Sequence, residues 1–125
     1  LDDWEDHLLS RRMNANLITK SLEGLPLHLP RVRPGGEHSW MMYPIRAHDR
    51  DTRDRLVQHL ESRGIETRPL LPLTNQPYMK SLGIREDDYP VAKMVNQTGF
   101  YIGCHPYLSF DDLVRIAKAF KEFSW

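Results

Sequence analysis

A single cysteine, Cys104, among 125 residues excludes an internal disulfide framework. Excess charge is also missing: 17 Lys plus Arg balance 17 Asp plus Glu, so no net field draws the chain to nucleic acid or to an anionic membrane surface. Long apolar runs are scarce, and none approaches the roughly 20 residues that a membrane-spanning helix needs. The N-terminal stretch is acidic and amphipathic, where a secretory signal would be basic and then continuously apolar. These absences predict a cytoplasmic chain with no nucleic-acid and no membrane partner. The six histidines lie far apart and match no zinc-ligand spacing, which predicts no metal site. No P-loop, nucleophile elbow or dinucleotide fingerprint is present, and Pro34-Gly35-Gly36 reads as a turn.

What is present suffices for one domain with one core, given 40% hydrophobic residues. Asp2 or Asp3 can cap a helix whose apolar positions include Trp4, Leu8, Leu9, Met13, Leu17, Ile18 and Leu22, and Gly24 ends it. A connector follows from Pro26 to Gly36. The aromatic and apolar run His38–Ala47 is the best strand, with Pro44 marking an edge or a bulge. A helix starting near Asp51 buries Leu56, Val57 and Leu60 and stops at Gly64, after which Ile65 to Arg68 returns as a strand. Pro69, Pro72 and Pro77 predict a stiff, irregular loop across 69–77. Tyr89-Pro90 starts another helix, Phe100–Gly103 is a short strand, and Ser109 with Asp112 forms a near capping box for a last helix. The sum is an α+β fold with a short, mostly antiparallel sheet and helices packed largely on one face. The chain opens at Leu1 within a helical pattern, so we expect a fragment of a longer polypeptide, the alternative being a processed complete protein.

Candidate functional residues each carry two readings. Arg68 follows a strand and precedes the proline-rich loop, where a guanidinium can bind a carboxylate or phosphate; it can equally form a structural salt bridge, for example with Glu66. Thr74-Asn75-Gln76 on a rigid loop can both give and accept hydrogen bonds, which suits hydroxyl-rich ligands, or can cap the loop itself. His38 either packs locally or reaches a ligand. Cys104, beside His105 on a strand, reads as a buried structural thiol, since neighbours there face opposite sides.

Several segments together resemble the C-terminal portion of the DegT/DnrJ/StrS sugar aminotransferases: Arg11-Arg12-Met13-Asn14-Ala15, His38-Ser39-Trp40-Met41-Met42-Tyr43-Pro44-Ile45, Gly64-Ile65-Glu66-Thr67-Arg68-Pro69, Gln76-Pro77, Tyr89-Pro90-Val91-Ala92, and the helix from Leu108 to Phe120. Their order and spacing match over almost the whole chain. The resemblance implies the small C-terminal domain of a fold-type-I aminotransferase, with residues 1–25 as a long inter-domain helix and 26–125 as the small domain. It implies amino transfer, from glutamate or another amino acid, to a keto sugar carried on a nucleoside diphosphate. The cofactor would be pyridoxal 5'-phosphate in the full-length enzyme, bound to a lysine upstream; no catalytic residue and no bound cofactor are expected on this chain. The implied partners are the large cofactor-binding domain of the same polypeptide, a second subunit in a homodimer, and the nucleotide-sugar substrate. The implied substrate contacts are Arg68, Thr74, Asn75, Gln76 and His38. Many relatives carry a histidine two positions before the Gln-Pro pair, where this chain has Thr74, so hydrogen-bonding duty shifts to Thr74 and Asn75. Asn96-Gln97-Thr98 with Tyr101-Ile102-Gly103 is similar to the branch that dehydrates nucleotide keto sugars, and a free-standing binding module is the reading from a different class.

Overall fold

The structure is a computed structural model and describes residues 3–125. Its first element is helix α1, Trp4–Leu22. Asp3 stands at the N-cap position without a side-chain cap bond, and Asp2 lies outside the described residues. Gly24, at φ +85°, turns the chain just past the helix as expected, because the left-handed region strains other residues. Ala15, Ile18 and Leu22, at helical spacing, are buried, whereas Leu9, Met13 and Leu17 on another face are exposed.

The sheet has three strands in the order β1-β3-β2, all pairings antiparallel: β1 is Met42–Arg46, β2 is Thr67–Pro69 and β3 is Gly99–Gly103. Tyr43 pairs with Ile102 and Ile45 with Phe100, so these four side chains share one face with Thr67. That face is buried against Ala15, Ile18 and Leu22 of α1, Leu56 and Leu60 of α2 (Arg50–Ser62), and Leu113, Ile116 and Phe120 of α5 (Phe110–Lys121). Burying each such large apolar side chain stabilises the fold by about 1.5–3 kcal/mol. The opposite face carries the register row Pro44, Tyr101 and Arg68, which is partly or wholly exposed.

Pro44 does sit on an edge strand. Arg46, two residues on, exchanges both backbone hydrogen bonds with His28 on the outer side, so the amide that Pro44 lacks would also have pointed outward, away from β3. The strand itself is shorter than the run His38–Ala47 suggests. Trp40 adopts φ +47°, which breaks the extended path before Met42. The second strand starts at Thr67 rather than Ile65, since the Ile65 amide is still donating to the Leu60 carbonyl of the preceding helix end.

The stretch 69–77 is more ordered than its prolines predict. Leu73–Asn75 forms a 3-10 turn, and Pro77 opens a short helix α3, Pro77–Ser81, because proline at the first helical position lacks only an amide that would be unpaired there anyway. Pro90 plays the same part for α4, Pro90–Thr98. At α5, Ser109 and Asp112 form a complete reciprocal capping box.

The segment Arg11–Asn14 rivets α1 to the sheet. Arg11 Nη1 donates to the carbonyls of Trp40, Met41 and Cys104 at 3.0, 3.3 and 3.4 Å. Arg12 pairs with Glu37 at 2.6 Å, and Asn14, itself buried, donates to the His105 carbonyl at 2.9 Å. Nη1 carries two hydrogens that the three carbonyls share, and this cluster with Asn14 fixes the entry of β1 and the exit of β3 together.

Candidate functional site

The proline-framed loop leaves β2 at the end of the sheet that holds Gly99 and Arg46. Its first anchor is steric: a Cβ added to Gly99 would lie 2.7 Å from Leu70 Cδ1 and 2.5 Å from the Val95 carbonyl oxygen, so glycine alone lets the loop lie against β3. Its second anchor is polar. Asn75 Nδ2 donates to Glu86 Oε1 at 3.1 Å, and Asn96 Nδ2 of α4 donates to the same oxygen at 2.9 Å. Between these anchors Thr74 is buried, and its Oγ1 has no hydrogen-bond partner. An unsatisfied buried hydroxyl costs about 1–3 kcal/mol, so Thr74 is the polar group of this loop that its own chain leaves unpaired. Gln76 is exposed, and its side chain caps neither the turn nor α3. Leu71, Leu73 and Tyr78 beside it are exposed apolar side chains.

Arg68 lies on β2 with its guanidinium 2.5 Å from Glu66 Oε1, both side chains mostly exposed. Such a pair contributes little to stability. A cleft of about 550 Å³ opens beside it, with Ile65, Leu108 and Ile116 among its apolar lining and Tyr101, His105 and Arg115 among its polar lining. His38 is elsewhere. It precedes Met42, which pairs with Gly103, so it enters at the opposite end of the sheet from the loop. Its Nδ1 accepts from the Trp40 amide at 2.9 Å, its ring packs on Trp40 at 4.4 Å, and Trp40 in turn stacks on Tyr43. Those contacts hold Trp40 in its left-handed conformation and leave only Nε2 for other partners. The structure therefore brings Thr74, Asn75 and Gln76 together, sets Arg68 just upstream of them, and does not bring His38 to them.

Cys104 is fully buried, donates to the Arg11 carbonyl at 3.5 Å, and has its pKa pushed up to about 11 by burial. A thiol so placed is inert. No group of three His, Cys, Asp or Glu side chains among the described residues could hold a metal ion, and no helix is long and apolar enough to cross a membrane. The lysines do not fit a pyridoxal-phosphate cradle. Lys93 is held by Asp87 at 2.6 Å, Lys118 lies 3.7 Å from Glu122, and Lys20, Lys80 and Lys121 are exposed on helices.

Glu86 and Asn96 are the residues that sequence reasoning left out of the site. Glu86 heads an acidic run that looks like a helix start, yet α4 has no side-chain cap; Asp87 instead pairs with Lys93 and Glu86 gathers the two amides. A visible signal was three consecutive acids where one cap would serve.

The architecture is a three-stranded antiparallel sheet backed by helices, with a polar loop at one end of the sheet. The comparisons identify the class. Residues 1–121 match the model of the DegT/DnrJ/EryC1/StrS aminotransferase family, and the chain belongs to that family. It is 27% identical to the GDP-perosamine synthase of Caulobacter vibrioides, over 98% of this chain and 34% of that protein. Among solved structures, DesV of S. venezuelae in complex with a ketimine intermediate superposes with a TM-score of 0.88 at 25% identity, over 98% of this chain and 33% of DesV. Spr1654 of Streptococcus pneumoniae in its PLP form shares the fold, with a TM-score of 0.86 at 23% identity over 97% of this chain and 32% of Spr1654. The chain spans about a third of the length of the curated relatives it matches.

Proposed function

We propose that this chain is the substrate-facing small domain of a pyridoxal-phosphate-dependent sugar aminotransferase, one that moves an amino group from an amino acid, expected to be glutamate, to a nucleotide-linked keto sugar. The single observation that carries the reading is the loop at 72–77: Thr74 buries a hydroxyl without a partner inside a chain of this family. In this reading the cofactor and its lysine belong to a larger domain of the same polypeptide, acting as a homodimer in the cytoplasm. This domain excludes water and orients the sugar. Asn75 and Gln76 contact sugar hydroxyls, Thr74 joins them once the loop shifts to uncover its buried Oγ1, and Arg68 exchanges its weak pairing with Glu66 for an anionic group of the substrate or amino donor. His38, at the far end of the sheet, contributes through Nε2 to a neighbour that reaches that end. Helix α1 joins the two domains through its exposed stripe of Leu9, Met13 and Leu17 while its other face stays in the core.

Kinetics and melting together test this. In the complete polypeptide, Asn75→Ala and Arg68→Ala are expected to lower turnover of the sugar nucleotide by about tenfold, the rate equivalent of about 1.4 kcal/mol. Normal kinetics with a lowered melting temperature would make the loop structural and end its assignment as a substrate contact.

A further inference from the structure

Glu86 ties two side-chain amides to one carboxylate oxygen, one from the proline-framed loop and one from α4. All three residues are partly buried, so these bonds are less exposed to competition from water than a surface pair. The arrangement has a polarity. An ionised carboxylate only accepts hydrogen bonds, so each asparagine must turn its NH2 toward Glu86 and its Oδ1 away. No donor among the described residues reaches Oδ1 of Asn75 or of Asn96, and neither oxygen is sealed from solvent.

We infer that Glu86 is a positioning residue: it fixes the orientation of Asn75, and with it Asn96, so that the loop presents carbonyl oxygens as acceptors to the hydroxyl or N–H donors of a ligand. The inference rests on the reading of the loop as substrate-facing and narrows what the loop can recognise. A phosphate is itself an acceptor and gains nothing from an amide oxygen. A sugar hydroxyl donates to it. Within a nucleotide sugar, Asn75 therefore reads the sugar and leaves the diphosphate to cations.

The test measures the affinity that the sugar adds. Whichever of GDP, UDP or dTDP binds the complete polypeptide is titrated calorimetrically, free and as its hexose conjugate, against wild type, Asn75→Ala, Glu86→Ala and Glu86→Gln. Glutamine keeps an acceptor oxygen, so Glu86→Gln is expected to preserve the sugar-specific increment. Glu86→Ala and Asn75→Ala are each expected to reduce it by about tenfold, the usual scale for one lost hydrogen bond, with affinity for the free nucleotide unchanged. On the 125-residue chain, Glu86→Ala should also move the side-chain amide resonances of both Asn75 and Asn96. Wild-type sugar affinity in Glu86→Ala beside a loss in Asn75→Ala would overturn the positioning role and leave the loop reading standing. Wild-type affinity in Asn75→Ala would overturn the loop reading itself. Equal losses for free and glycosylated nucleotide in Glu86→Ala would reduce Glu86 to a structural tie and overturn the inference, as would amide resonances that do not respond.

Discussion

The sheet with α1, α2 and α5 and the excursion of residues 70–98 are stabilised by different means. The first region shares one apolar core and is riveted at the sheet end by Arg11, Arg12 and Asn14. In the excursion only Thr74 and Thr98 are buried, while Leu71, Leu73, Tyr78, Leu82 and Val91 are exposed. It meets the body at Gly99, where α4 runs into β3, and through the Ala47 amide donating to the Thr98 carbonyl at 2.9 Å, while Glu86 ties its loop to α4 from within. Such segments have few apolar contacts and open at low cost, which is where binding elements are drawn from.

The largest expected effect lies in the core. Phe120 is fully buried between the sheet and the helices, and Phe120→Ala should cost about 3–5 kcal/mol, seen as a lower urea midpoint by any probe. A loss confined to probes in α3 and α4 would break the division into two regions. Gly99→Ala should cost less, about 1–3 kcal/mol, as overpacking does. The Leu70 side chain can swing aside, but the Val95 carbonyl at 2.5 Å is backbone, so the end of α4 must shift. If Gly99→Ala melts like wild type while loop resonances stay in place, the steric anchor is not what holds the loop.

Hydrogen exchange sharpens the same comparison without a mutation. Amides of α3 and α4 are expected to exchange at least about tenfold faster than those of α5, through local opening that leaves the core closed. Uniform protection across α4 and α5 would mean that the excursion folds and unfolds with the body.

The helix starts and stops were legible because their chemistry is local. Gly24 and Gly64 adopt positive φ where the helices end, Pro90 begins one, and Ser109 with Asp112 closes a cap within four residues. A strand within the run His38–Ala47 was legible from its aromatic and apolar composition, and Met42–Arg46 forms it. Pro77 was misread because proline both breaks and begins helices, and only the following residues' packing decides which. The rivets were not legible at all: Arg11 reaches carbonyls up to 93 positions away, and nothing in a sequence states which guanidinium will meet which carbonyl. For the site, the sequence placed three polar residues on one stiff loop. It could not show that His38 enters at the other end of the sheet, since that depends on strand order, nor that Glu86 would claim Asn75 from eleven residues away.

The smallest expected effect separates the two regions by salt. Asp49 and Asp112 cap helices of the body, and each has its pKa lowered, first by hydrogen bonds from Thr52 and Ser109 respectively. Asp87, in the excursion, has its pKa lowered first by the hydrogen bond from Lys93 and then by that cation's charge. All three carboxylates are depressed in the folded state. Their stabilising contribution is thus fully present above the ordinary aspartate range and is lost as pH falls through the lowered folded values. The donors at the caps are fixed by the helix itself, whereas the Lys93 ammonium sits on a flexible stem at an exposed position where ions screen it. Raising the salt should therefore move the Asp87 titration back toward the ordinary aspartate value and leave Asp49 and Asp112 nearly where they were. Carboxyl carbon shifts followed through acid at low and high ionic strength read all three at once. An equal salt response at Asp112 and Asp87 would show that the caps act through charge and not through fixed donors, and this contrast between the two regions would disappear.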